Sequence, residues 1–91
     1  MLPERVVELR ADGTRAPARP AHVEPLRGQE EEDLRRSTVT SYRVFLDADR
    51  PPAPSSRLEW RGLSYSVQGA PAVHTARGRV RYHTLIMERR G

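Results

Sequence analysis

From Thr38 to Leu46 the chain alternates with a period of two. Thr40, Tyr42, Val44 and Leu46 fall on one face, and Val39, Ser41, Arg43 and Phe45 on the other. A helix would need apolar residues roughly every three to four positions. That spacing is nearly missing from this chain, while the two-residue period recurs. Between Arg57 and Gln68, Leu58 and Trp60 alternate with Glu59 and Arg61; Gly62 breaks the run; Leu63, Tyr65 and Val67 then alternate with Ser64, Ser66 and Gln68. This pattern predicts a β-hairpin turning at Arg61-Gly62, with glycine supplying the positive φ that tight hairpins need. A last run, Arg79 to Arg89, puts Val80, Tyr82, Thr84 and Ile86 on one face and Arg81, His83, Leu85 and Met87 on the other. Both faces turn apolar toward its end, so that end is expected to be covered on both sides.

Weaker signals complete the pattern. Glu4 to Arg10 is a strand candidate, followed by the turn tetrapeptide Ala11-Asp12-Gly13-Thr14. Ala21 to Leu26 is a short candidate with Pro25 near its end, as suits an edge or a strand terminus. Arg15 to Pro20 reads as an extended connection. Arg27 to Ser37 is strongly polar, a loop or a short piece of helix, and Asp47 to Ser56 is a Pro-rich loop with no apolar anchor. Five or six short strands with turn signals about every ten residues predict an all-β fold, a small antiparallel β-barrel with long loops. Residues 1–91 form one domain, comprising an N-terminal strand, turn and extended connection (1–20), an acidic loop (27–37) and a Pro-rich loop (47–56) between the other strands. The expected core is Val6, Val23, Tyr42, Val44, Leu46, Leu58, Trp60, Leu63, Tyr65, Val67, Val80, Tyr82 and Ile86.

Composition sets the stability problem. Of 91 residues only 18 are Leu, Ile, Val or Phe, and there is no Cys. A domain of this size has a thin stability margin unless disulfides, metals or neighbouring subunits assist. Disulfides are excluded. His22, His74 and His83 lie on separate elements with no acid at ligand spacing, so no metal site is expected and each reads as a surface or interface residue. Association with further subunits is the remaining help. No Gly-x-Ser-x-Gly pattern occurs and no nucleophile, His and acid are suggested together, so neither catalysis nor a cofactor is expected. With no apolar run near the ~20 residues of a membrane span and no leader-like N-terminus, a soluble, unprocessed protein is expected.

Charge is uneven. Residues 1–49 carry 8 Arg against 10 acids, and residues 50–91 carry 8 Arg against 2 acids. The split favours an acidic partner for the second half, or contact between unlike faces of neighbouring subunits. All 16 basic residues are Arg, and both Lys and Asn are absent. That combination points to a GC-rich coding bias, so arginine number is poor evidence for nucleic-acid binding. The tract Glu30-Glu31-Glu32-Asp33 reads either as a solvated loop or as the lining of a space through which a polyanion passes without sticking. Arg77, Arg79 and Arg81 read as a solvated face, a subunit or partner contact, or a phosphate grip; on a plain strand Arg79 and Arg81 share a face. Trp60, Tyr65 and Tyr82 alternate in step with the aliphatic positions, which assigns them to the core rather than to base stacking.

From Ala21 onward the pieces occur in a familiar order: AHVEPLRGQEEEDLRR, then TVTSYRVFL, then the tryptophan hairpin SSRLEWRGLSYSVQGAP, then GRVRYHTLIMERR. This order resembles the head-to-tail stopper (head closure) proteins, head-tail connectors of long-tailed phages infecting actinobacteria, over about 70 of the 91 residues. The most specific part is the hairpin Arg57 to Val67. The resemblance implies a β-barrel that forms a homo-oligomeric ring in the neck of the virion, made in the host cytoplasm and having no membrane partner. Its partners would be the adaptor or portal assembly on the head side, the tail terminator or tail tube on the tail side, and packaged double-stranded DNA in the channel. In the family the loop between the second and third strands points into the channel, so Glu30, Glu31, Glu32 and Asp33 are expected to line it. The alternatives are a small nucleic-acid-binding barrel using Arg77, Arg79, Arg81 and the aromatics, or another neck protein, a tail terminator or an adaptor, the latter tending to be helical.

Overall fold

A computed structural model of the chain describes residues 4–26 and 39–90. Six strands follow one another: β1 (Glu4–Leu9), β2 (Arg19–Pro25), β3 (Val39–Leu46), β4 (Arg57–Trp60), β5 (Leu63–Ala76) and β6 (Arg79–Arg90). They close an antiparallel barrel in the order β1-β2-β3-β6-β5-β4, with β1 pairing to β4 across the seam. The described residues contain no helix, and so none long and apolar enough to cross a membrane. The all-β barrel expected from the alternation is therefore the fold, with six strands.

The turns form where their chemistry placed them. After β1 the Gly13 N–H donates to the Arg10 carbonyl at 2.9 Å, while the Asp12 carboxylate accepts from the backbone N–H (2.9 Å) and hydroxyl (2.7 Å) of Thr14. The β4–β5 hairpin pairs Trp60 with Leu63 across Arg61 and Gly62, whose φ values of 51° and 78° give the two left-handed residues of a tight hairpin turn. Pro25 ends β2, where its missing N–H leaves no gap inside the ladder.

The core is Val6, Ala21, Val44, Leu46, Leu58, Trp60, Tyr65, Val67, Leu85 and Met87, with Val23 and Tyr42 packed against it. The inward face of β6 is therefore the opposite of the expected one. Tyr42 pairs with Met87, Val44 with Leu85 and Leu46 with His83, and residues directly opposite in a ladder share a face. This register turns His83, Leu85 and Met87 inward, leaves Ile86 half-buried outside, and exposes Val80 and Tyr82. Leu63, expected inside, is also exposed beside the turn. His83, expected at a surface or interface, is buried; its Nδ1–H donates to the Asp47 carbonyl at 2.9 Å and ties β6 to the Pro-rich loop. That loop does have an apolar anchor, because Pro52 is fully buried.

The largest departure is the length of β5. Gly69-Ala70-Pro71 looks like the end of a strand, yet β5 continues to Ala76. Gln68 pairs with Ile86 and Ala72 with Thr84, so β5 carries two more residues than β6 across this shift. Gly69, at φ 69°, and Pro71, which has no N–H to place in a ladder, lie within the irregular stretch. Beyond Ser66, β5 has no β4 partner, and before His83, β6 has no β3 partner. From there, among the described residues, the two strands pair only with each other and leave the barrel as a two-stranded arm.

Candidate interaction surface

The arm comprises residues 69–82 and turns at Arg77-Gly78, where Ala76 pairs with Arg79 and both turn residues have positive φ (54° and 75°). Within it only Pro71 and His74 are half-buried; every other position is exposed. Val73 is 53% exposed, and Val80 and Tyr82 are 41% and 39% exposed, so most of the large apolar side chains left in solvent lie on this element. One pair stiffens it. The His74 and Tyr82 rings stack at 4.4 Å with 7° between their planes, and His74 Nε2 is hydrogen-bonded to Thr84 Oγ1 at 2.9 Å.

Outside the barrel wall, Phe45 and then His22 extend the row from Tyr82, at centroid separations of 6.2 and 5.6 Å. A groove of about 400 Å³ runs beside this row, lined by Arg43, Phe45, Gln68, Ala72, His74 and Ile86 among others. On the other side of the arm's base Pro71 joins the Pro-rich loop, Glu8 and Asp12 in a second groove of about 600 Å³.

Electrostatics separates the arm from the barrel. On the barrel, Arg15 pairs with Glu59 at 2.7 Å, Arg61 with Glu4 at 3.0 Å, and Arg19 with Asp47. These contacts hold carboxylates in the charged form: hydrogen bonds from Trp60 and Arg61 lower the pKa of Glu4, and the Arg15 guanidinium lowers that of Glu59. Arg77, Arg79 and Arg81 are exposed and make no ion pair among the described residues. Residues 69–82 contain these three arginines and no acid, leaving 13 Arg and 12 acids in the rest of the chain. The arm thus holds three of the four net positive charges. Its arginines do not form a plain alternating stripe. His74 pairs with Tyr82 and Thr75 with Val80, so Arg81 is the extra residue of a bulge separating it from Arg79.

The other candidate residues are dispersed. Trp60 and Tyr65 are buried, with the Tyr42 ring edge-on to them at 4.9 and 5.7 Å, and cannot stack on a base; Tyr82 is exposed, but His74 already stacks on one face of its ring. His22 is on the outer wall, His74 on the arm and His83 inside, and among the described residues no three His, Asp or Glu side chains converge as metal ligands. Glu30, Glu31, Glu32 and Asp33 lie outside the described residues. The arm itself was missed from sequence, although one signal was present: Ala76-Arg77-Gly78-Arg79 repeats the Arg-Gly turn of Trp60-Arg61-Gly62-Leu63. Comparison with protein-family models, curated proteins and solved structures gives no match.

Proposed function

We propose that this chain is a subunit of a ring that joins the DNA-filled head of a long-tailed phage to its tail, the role implied by its resemblance to head closure proteins. The observation that carries the proposal is the arm. A closed barrel consumes its own strand edges, whereas the arm presents backbone edges with no ladder partner among the described residues, and exposed Val73, Val80 and Tyr82. A two-stranded ribbon is marginally stable alone, and exposed apolar strand edges invite a partner. A small core has the same need. Ring closure by head-to-tail contact joins two different surfaces of one chain, which suits a protein whose arm and body differ this much. In this proposal Glu30, Glu31, Glu32 and Asp33 line the channel, and the adaptor or portal and the tail terminator or tail tube flank the ring.

Sedimentation velocity of the purified protein, with negative-stain imaging of it alone and added to tail-deficient capsids, tests the reading. Concentration-dependent assembly and a ring at the capsid neck are expected. A stable monomer at all concentrations that never binds capsids overturns it.

A further inference from the structure

We infer that the β5–β6 arm grips the phosphate backbone of double-stranded nucleic acid through Arg77, Arg79 and Arg81. The inference names the ligand of the arm, and rests on the connector reading for the source of the duplex, the packaged DNA. Three observations carry it. The first is the concentration of the charge: a GC-rich coding bias explains why the basic residues are Arg rather than Lys, but not why three exposed arginines without an ion pair among the described residues gather on one hairpin. On the barrel Arg15, Arg19 and Arg61 each face a carboxylate, and Arg5, Arg43 and Arg50, exposed and likewise without an ion pair among the described residues, stand on separate elements. Unpaired guanidiniums retain all their donors, and their planar fork matches phosphate oxygens in pairs.

The second is shape. The arm is a two-stranded antiparallel ribbon standing clear of the barrel, and the major groove of B-DNA, about 12 Å wide, admits a ribbon of that kind. Arg77 sits at the tip, with Arg79 and Arg81 on the descending strand, so a ribbon entering a groove carries cations past phosphates on its flanks. The third is the absence of any acid from residues 69–82, so that no carboxylate on the arm repels the backbone or competes for the guanidiniums. The contacts are to phosphate and carry no base preference.

The test compares the parent with a variant carrying Arg77→Asn, Arg79→Gln and Arg81→Gln; asparagine is chosen because it tolerates the positive φ of position 77. Binding of a labelled random-sequence duplex is followed by anisotropy across a salt series, and assembly by sedimentation velocity on the same samples. The parent should bind, with affinity falling steeply as salt rises. The variant should bind more weakly on every duplex, with a salt slope shallower by about one for each arginine that met a phosphate, while assembling as the parent does. Unchanged binding by the variant, or no binding by an assembled parent, overturns the phosphate grip and leaves the connector reading intact. Loss of assembly in the variant also overturns it, by showing that the arginines join subunits. Equal binding of poly-glutamate by the parent assigns the arm to an acidic protein and overturns the nucleic-acid assignment. A parent that binds DNA through the arm yet never assembles upholds the grip and defeats the connector reading.

Discussion

Two tight hairpins of this protein, β4–β5 and β5–β6, turn on the same dipeptide. Arg61-Gly62 and Arg77-Gly78 adopt nearly the same backbone, with φ of 51° and 78° in one and 54° and 75° in the other. Their surroundings share nothing. Arg61 lies 4.5 Å from the centre of the Trp60 ring and donates to Glu4 at 3.0 Å, while Trp60 Nε1–H donates to the same carboxylate at 3.1 Å. That hairpin closes one end of the barrel. Arg77 makes no ion pair with any described residue, and its hairpin stands out from the body. Local turn chemistry therefore determines that a hairpin forms, and the residues that meet it determine whether it supports the core or is left for a partner.

Deleting an aromatic ring from each hairpin should break this symmetry most. Trp60→Ala removes a buried ring and orphans part of the Glu4 contact, and should lower unfolding stability by about 3–5 kcal/mol. Tyr82→Ala, on the exposed arm, loses the stack on His74 and the contact with Phe45 and should cost about 1 kcal/mol. Urea unfolding followed by circular dichroism measures both, and similar midpoints for the two variants would show that the arm belongs to the same cooperative unit as the barrel.

A smaller effect is expected at the turns. Both glycines have positive φ, and a Cβ at either would meet no atom within 4 Å, so only backbone strain opposes substitution. That strain is of order 1 kcal/mol at either glycine. In Gly62→Ala it should appear in global stability, whereas in Gly78→Ala it should appear as faster hydrogen exchange in residues 72–82 with little change in the barrel. Equal global losses would contradict the division.

The smallest effect separates the hairpins by pH. The pKa of Glu4 lies below its ordinary 4.5, first because Trp60 and then because Arg61 donates to the carboxylate. A carboxylate with a depressed folded pKa stabilises the protein above its unfolded pKa, and loses that contribution as the pH falls through the folded value. Stability should therefore decline as the pH drops below about 4.5. Glu4→Gln should flatten part of that decline, and an unaltered acid limb would show that the Trp60–Glu4–Arg61 contact is not formed in solution. The arm, having no acid, should contribute nothing to this limb.

Much of the fold was legible because strand alternation and turn chemistry are local. The alternation of Thr38 to Leu46, the Trp60 hairpin and the Asp12-Gly13 turn carry their instructions within a few residues, and the structure has a strand at Val39–Leu46 and both turns at the expected places. The candidate site was less legible. Arg77, Arg79 and Arg81 could be singled out by charge, but their freedom from partners depends on where every carboxylate of the barrel went. Plain alternation joined Arg79 to Arg81; a bulge, visible only in the register with β5, separates them.

The sequence by itself determined that the chain is a set of antiparallel strands, where most of them begin, and that Trp60 and Tyr65 belong to the interior, because a period of two with Gly, Pro and Asp at the breaks admits no other regular structure. Only the tertiary structure decided which face of β6 turns inward. Val80, Tyr82 and Ile86 on one side and Leu85 and Met87 on the other are both apolar enough to be core, and alternation distinguishes two faces without ranking them. Pairing with β3 ranks them: once Val44 and Leu46 point inward, Leu85 and His83 opposite them must do the same. The same closure carries β5 past Gly69 and Pro71, buries Pro52 of the Pro-rich loop, and leaves β5 and β6 to run beyond the barrel as the arm, since neither β3 nor β4 extends far enough to pair with them.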